Sequence, residues 1–295
     1  MVPLSAILLL PVGQNKRKHI ALLIHELSVM LYLRLEDHKI TIADYTRPAS
    51  VDAGAEGVLT LVEHVMTPTL SLRQNLQEAR RQHPLFQQVK DVEVIVNGPV
   101  TLVPVSEYDD SVEDVLFKSC FRVASEVPYR VLADVIPQLR TMLLFGVRQS
   151  VSDGIGVEFQ GGNIHYTSAT SLLLRQFAQH NADAQRCRVY VNCRDRYIDV
   201  AAFIERQLVA CCPYEVSCAS DAVYYVLALS KALGFVPSET LYITVGNNAT
   251  VQEITAMLRR FAPSVRRHTL GDDFGTRPIT QHPAVPFDLG LMLLA

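Results

Sequence analysis

The residues with the most chemical promise lie in three short turns. Asn192, Cys193, Arg194 and Asp195 sit between two β-rich runs. Glu36, Asp37, His38 and Lys39 occupy the same place between runs at 27–35 and 40–45. Gly246 and Asn247 follow an apolar run at 241–245. Glycine in a turn lets backbone amides approach a phosphate, and a nearby Asp can organise Mg²⁺ and water. Arg194 carries a charge that can itself meet an anion. Asn192 cannot act as a base and binds Mg²⁺ more weakly than a carboxylate does. Asn247 tolerates left-handed geometry, so a turn can persist there without a second glycine.

Other chemistry finds little footing. The chain has no G-x-S-x-G, Walker A or H-E-x-x-H pattern. Its nine histidines are scattered, and none pairs at metal-ligand spacing, so no metal site is expected. The six cysteines include no C-x-x-C pair and read as small buried hydrophobes. A reduced, cytoplasmic setting follows. Tyr224 and Tyr225 adjoin on a helix, and core packing suits them better than a partner-binding pair.

Composition bounds the class. With 295 residues, 49% hydrophobic and 19% charged, the chain is globular and long enough for two domains. A net charge of -3 supplies no field for nucleic acid or an anionic membrane. The apolar stretch 1–12 precedes its basic triplet 16–18, the reverse of a secretory signal, and is too short to span a bilayer. It is expected outside the fold.

The elements that must position these turns come in a repeated order. Runs 27–35 and 40–45 form a hairpin, and 58–65 is a third strand. Ser71 and Gln74 make a capping box for a helix. Residues 91–96 form a fourth strand. Asp109 and Asp110 can cap a helix that turns Val112, Val115 and Leu116 inward. Runs 129–135 and 142–147 pair as strands, and Gly154 and Gly156 weaken any helix over 149–159. A short strand at 164–166 precedes a helix at 168–180. The second half repeats the scheme with strands at 189–193, 197–204 and 207–213, a helix at 220–233, a strand at 241–245, a helix capped by Thr250 and Glu253, and a strand at 265–270. The helix faces are Ala222, Val223, Val226, Leu227 and Leu233, then Val251, Ile254, Leu258 and Phe261. The apolar end 287–294 is too hydrophobic to be left in water and should dock.

Three meander strands, then helix, strand, helix and strand, is the order of a ribonuclease-H-like unit. Two such units in tandem form the core of the actin, sugar-kinase and Hsp70-type ATPases. The expected fold class is therefore α/β, with two tandem ribonuclease-H-like units whose mixed sheets are flanked by helices. The expected division is 1–24 as an extension, 25–183 as the first unit, and 184–295 as the second unit with a tail.

Specific segments add a resemblance. Residues 97–105 (NGPVTLVPV) leading into Tyr108, 190–200 (YVNCRDRYIDV) and 221–227 (DAVYYVL) resemble motifs of a bacterial family of unknown function. That family is common in Bacteroidetes and carries an actin-like ATPase fold. Its structural relatives include type IV pilus assembly proteins.

The resemblance implies a nucleotide site between the units, built from two Asp-x-Gly hairpins and a Gly-Gly turn. The first hairpin here has no glycine. In the second, Asn192 stands in place of Asp and Arg194 in place of Gly. The third turn keeps Gly246 and has Asn247 where the second glycine would be. Hairpin turn chemistry explains Asn192, Asp195 and Asp199 better than a phosphate site does. A ribonuclease-type metal nuclease would need three carboxylates, and neither Glu26 or Glu36 with Glu78 and Asn97, nor Asp199, Asp221 and Gly246, completes such a set. The expectation is a non-catalytic actin-like protein with no cofactor, acting as a scaffold or interaction module on a protein partner. The alternative is a degenerate nucleotide-binding protein holding ATP with Mg²⁺ at Asn192, Arg194, Asp195, Gly246 and Asn247. No nucleic-acid partner and no integral membrane segment are expected.

Overall fold

A computed structural model describes residues 29–46, 57–83, 86, 89–121, 127–180, 186–194, 196–246 and 248–294. The extension at 1–24, the unit boundary near 181–185, Asp195 and Asn247 lie outside these residues.

Two five-stranded sheets carry the molecule, and they share one strand order. In the first, β1 (Val29–Leu35) pairs antiparallel with β2 (Lys39–Thr46), which pairs with β3 (Val58–Val65). On the other side β1 runs parallel to β4 (Val89–Val96), which runs parallel to β8 (Asn163–Ser168). The second sheet repeats this with β9 (Arg188–Cys193), β10 (Tyr197–Ile204), β11 (Gln207–Glu215), β12 (Leu241–Val245) and β13 (Val265–His268). The parallel pairs need crossovers, and helices supply them.

An additional three-stranded antiparallel sheet is inserted after β4, in the order β5 (Val100–Pro104), β7 (Thr141–Arg148), β6 (Tyr129–Ile136). The β6–β7 pair matches the sequence reading, while β5 is a strand that reading left unassigned. Helix α2 (Glu113–Cys120) packs here. Its buried residue is Phe117, and Leu116 packs beside it as expected, but Val112 and Val115, also expected inward, are exposed. Asp109 caps a short 3₁₀ turn by accepting from the Ser111 N–H, rather than capping α2.

Helix α1 (Leu72–Gln82) carries the expected capping box from Ser71 and Gln74. Helix α3 (Gln149–Glu158) forms despite its two glycines. Tertiary packing overrides propensity here. Ile155 is buried, and Gly154 lies where a β-carbon would meet the Arg73 backbone of α1. Helix α4 is Ala169–His180, and Phe177 on it stacks on Tyr190 of β9 at 4.2 Å. That contact links the two sheets through one continuous core of Leu31, Ile42, Phe203, Ile243 and Leu289.

The second sheet's far face is covered by α5 (Ala219–Ala232) and α6 (Ala249–Leu258), around Ile198, Val200, Val226, Ile254 and Leu258. Phe261, expected inward, is exposed because α6 has already ended. The cap of α6 also differs from expectation. Asn248 accepts from the Val251 N–H at 2.8 Å, so Asn248 rather than Thr250 is the N-cap. Asn248→Ala should therefore cost about 1 kcal/mol in urea unfolding, and Thr250→Ala much less. The opposite ranking would restore the Thr250 cap.

The chain ends in α7 (Leu270–Phe274), a single turn α8 (Pro278–Gln281) and α9 (Phe287–Leu294). Helix α9 follows the last strand of the second unit, as α4 follows that of the first. Nearly all of α9 is buried, so the apolar end docks as expected, and it docks in the core shared by both sheets. Gly290 makes that approach possible, since a β-carbon there would collide with Leu270. No helix among the described residues is long and apolar enough to cross a membrane.

Candidate functional site

The strand register makes the β1–β2 and β9–β10 hairpins counterparts. Leu35 faces Ile40 across the first, and Cys193 faces Ile198 across the second. Each closes with the same backbone bond, Glu36 N–H to Lys39 O at 2.9 Å and Arg194 N–H to Tyr197 O at 2.8 Å. Arg34 therefore matches Asn192, Glu36 matches Arg194, and Thr41 matches Asp199. The equivalent positions hold different charges, and those charges are satisfied within the protein.

Arg34 lies at the end of β1 and is 3% exposed. Its Nε donates to both carboxylate oxygens of Asp288 at 2.9 and 2.8 Å, and its Nη1 pairs with Glu36 at 2.6 Å. Asp288 is 2% exposed and sits in the first turn of α9, where the helix dipole favours a carboxylate. Burial works against the Arg34 charge, but Asp288 and then Glu36 offset it and hold its pKa above the ordinary value. Lys39 extends the network to Glu63 at 2.7 Å.

The second hairpin is neutralised separately. Arg194 donates twice to Asp199, Nε to Oδ2 at 2.7 Å and Nη2 to Oδ1 at 2.6 Å. Asn192 donates to Asp199 Oδ2 at 3.2 Å. Asp199 is thus a buried counter-ion on β10, not a turn residue. Burial opposes the Arg194 charge and Asp199 more than restores it. Asp288 adds to that stabilisation and Arg34 subtracts from it, which places the two hairpin networks within electrostatic reach of each other. The Arg194 guanidinium also lies 5.4 Å over the Tyr197 ring.

Two strand ends complete the site. Asn97, after β4, donates to the Leu35 carbonyl at 3.3 Å. Gly246, after β12, has φ 115°, a conformation that favours glycine, and its N–H donates to the His268 carbonyl at 3.1 Å. The nuclease candidates do not converge. Glu78 accepts from Gln82 on its own helix, and Asp221 accepts from the Ser217 N–H at the start of α5.

Sequence reasoning named Asn192, Arg194 and Gly246 but missed Arg34 and Asp288. Arg34 carried a signal, an arginine in an otherwise apolar strand. Asp288 carried the same signal in an apolar helix.

The comparisons agree with this architecture. A family model described as "Protein of unknown function (DUF3822)" matches residues 49–265. A Bacteroides thetaiotaomicron protein "with actin-like ATPase fold and unknown function" superposes with a TM-score of 0.71 at 18% identity, over 91% of this chain and 96% of that one. A chain of the "PilM-PilN type IV pilus biogenesis complex" superposes with a TM-score of 0.54 at 11% identity, over 90% of this chain and 97% of that one. None of the curated proteins matches the sequence. The chain has the actin-like ATPase fold and belongs to the DUF3822 family of proteins of unknown function.

Proposed function

We propose that this protein is a non-catalytic actin-like module that works through contacts with a protein partner. The observation that carries this reading is the internal pairing of the charged groups at the two hairpins. Where the fold's ATPases present glycine and Asp to a phosphate and its metal, this chain presents Arg34 bound to Asp288 and Arg194 bound to Asp199. Neither hairpin offers a glycine, and Asp199 already takes three donated hydrogen bonds, from Arg194 twice and from Asn192. A phosphate that used Arg194 as its ligand would have to compete with the bidentate pair to Asp199. The likeness to a chain of the type IV pilus biogenesis complex supports a protein partner. Six free cysteines fit a reducing, cytoplasmic setting.

A second reading has one observation in its favour. Gly246 keeps the positive φ that a close backbone approach at the third turn requires. A degenerate nucleotide site would use it together with Asn192, Arg194, Asp195 and Asn247.

Melting with and without Mg-ATP or Mg-ADP separates the two. A ligand at a hundred times its dissociation constant stabilises by about 2.7 kcal/mol, which melting resolves easily. We expect no shift and no hydrolysis above background. Micromolar nucleotide affinity that disappears in Arg194→Ala would replace the scaffold reading with the nucleotide one.

A further inference from the structure

His180, His268 and Asp273 meet where the two halves of the molecule join. His180 closes α4 of the first half, His268 ends β13 of the second, and Asp273 lies on α7. His180 Nε2 is 2.7 Å from Asp273 Oδ1. His268 Nε2 is 3.0 and 2.9 Å from Oδ1 and Oδ2 of the same carboxylate. One ligand-type atom from each residue lies within 4.8 Å of the other two. The imidazoles stand edge to face with centroids 4.7 Å apart.

A plain clamp, one carboxylate accepting from two imidazoles, explains part of this. Three features go further. Ligand atoms around a tetrahedral zinc ion stand about 3.3 Å apart, so the two His–Asp contacts would have to open by about 0.3–0.6 Å. His268 Nδ1 lies 3.8 Å from a second carboxylate oxygen, Asp272 Oδ2, which also accepts from the Thr269 N–H. A carboxylate beside the far ring nitrogen helps to orient a ligand imidazole. The third feature is His180 Nδ1, which is buried without a hydrogen-bond partner, so the ring makes its polar contacts through Nε2, to Asp273 at 2.7 Å and to Gln176 Nε2 at 3.4 Å.

We propose that His180, His268 and Asp273 bind one divalent cation of the zinc class, tying α4 to α7 and fixing how the two halves sit together. Two imidazoles and one carboxylate suit zinc and leave a fourth position open. The hard cations Mg²⁺ and Ca²⁺ prefer all-oxygen shells.

Zinc titration of the full chain, freed of metal by a chelator, tests this by calorimetry. We expect one equivalent of Zn²⁺ to bind and the melting temperature to rise, with Mg²⁺ doing neither. His268→Gln and Asp273→Asn should each lower the affinity by at least about tenfold. The X-ray absorption spectrum of the one-equivalent complex should show nitrogen and oxygen neighbours with two imidazoles, a reading that does not depend on the variants folding. No binding at 100-fold excess Zn²⁺, undiminished affinity in both folded variants, or a shell containing sulfur would each overturn the proposal.

Discussion

Val226→Asp should lower stability by about 4 kcal/mol or more, enough to leave much of the protein unfolded at moderate temperature. Val226 is 0% exposed on the inner face of α5, against Ile198, Val200 and Ala202 of the second sheet. Two terms add. Losing the buried valine removes roughly 1.5–3 kcal/mol of transfer free energy. Placing a carboxyl among aliphatic groups then costs a further few kcal/mol, because nothing there can pair with it. The substituted carboxyl avoids the full cost of charge by taking up a proton, so its folded-state pKa lies above its unfolded value. Its penalty is therefore smallest below about pH 4 and grows as pH rises from there to the folded pKa. Tyr224→Asp is the control, on the same helix but 67% exposed, and should change stability by about 0.5 kcal/mol or less. Urea midpoints for the two variants decide it. Equal midpoints would mean that α5 presents a different face to the sheet.

Local signals made most of the fold legible, and long-range ones were silent. The hairpins, the Ser71–Gln74 capping box and the repeated strand order all depend on residues within a few positions of one another. Helix α3 was obscured because its stability comes from packing on α1, which no window of its own sequence records. The inward face of α2 was misjudged for a related reason. Its partner is a small inserted sheet, and the short helix turns a single aromatic, Phe117, into it. The candidate site divides the same way. Asn192, Arg194 and Gly246 could be found because a turn is a local object. The partner of Arg34 lies 254 residues away, and only the docking of α9 brings it there. His180 and His268 join in the same manner, through the meeting of α4 and β13.

Removing the Asp288 carboxylate should cost about 3–5 kcal/mol, far more than an exposed ion pair would. Asp288→Ala leaves Arg34 buried at 3% exposure with Glu36 as its remaining counter-ion, and leaves both of its Nε contacts unmade. The charge of Arg34 cannot be relieved by deprotonation, since guanidinium stays protonated in proteins. The double change Arg34→Met with Asp288→Leu removes both charges together and should recover most of the loss, because buried pairs replaced by apolar groups of similar volume are often neutral or better. A double-mutant cycle in urea, with unchanged denaturant slopes, isolates the coupling. A coupling under 1 kcal/mol would show the pair to be well solvated. The expected large coupling has a functional corollary. If α9 is held against β1 by Arg34, weakening that hold should loosen the joint between the two sheets before it unfolds either one. Amide exchange in the Asp288→Ala protein should then rise first in β1 and α9 and last in β12 and α5. Uniform acceleration across both sheets would mean that the pair stabilises the whole chain and does not act at the joint.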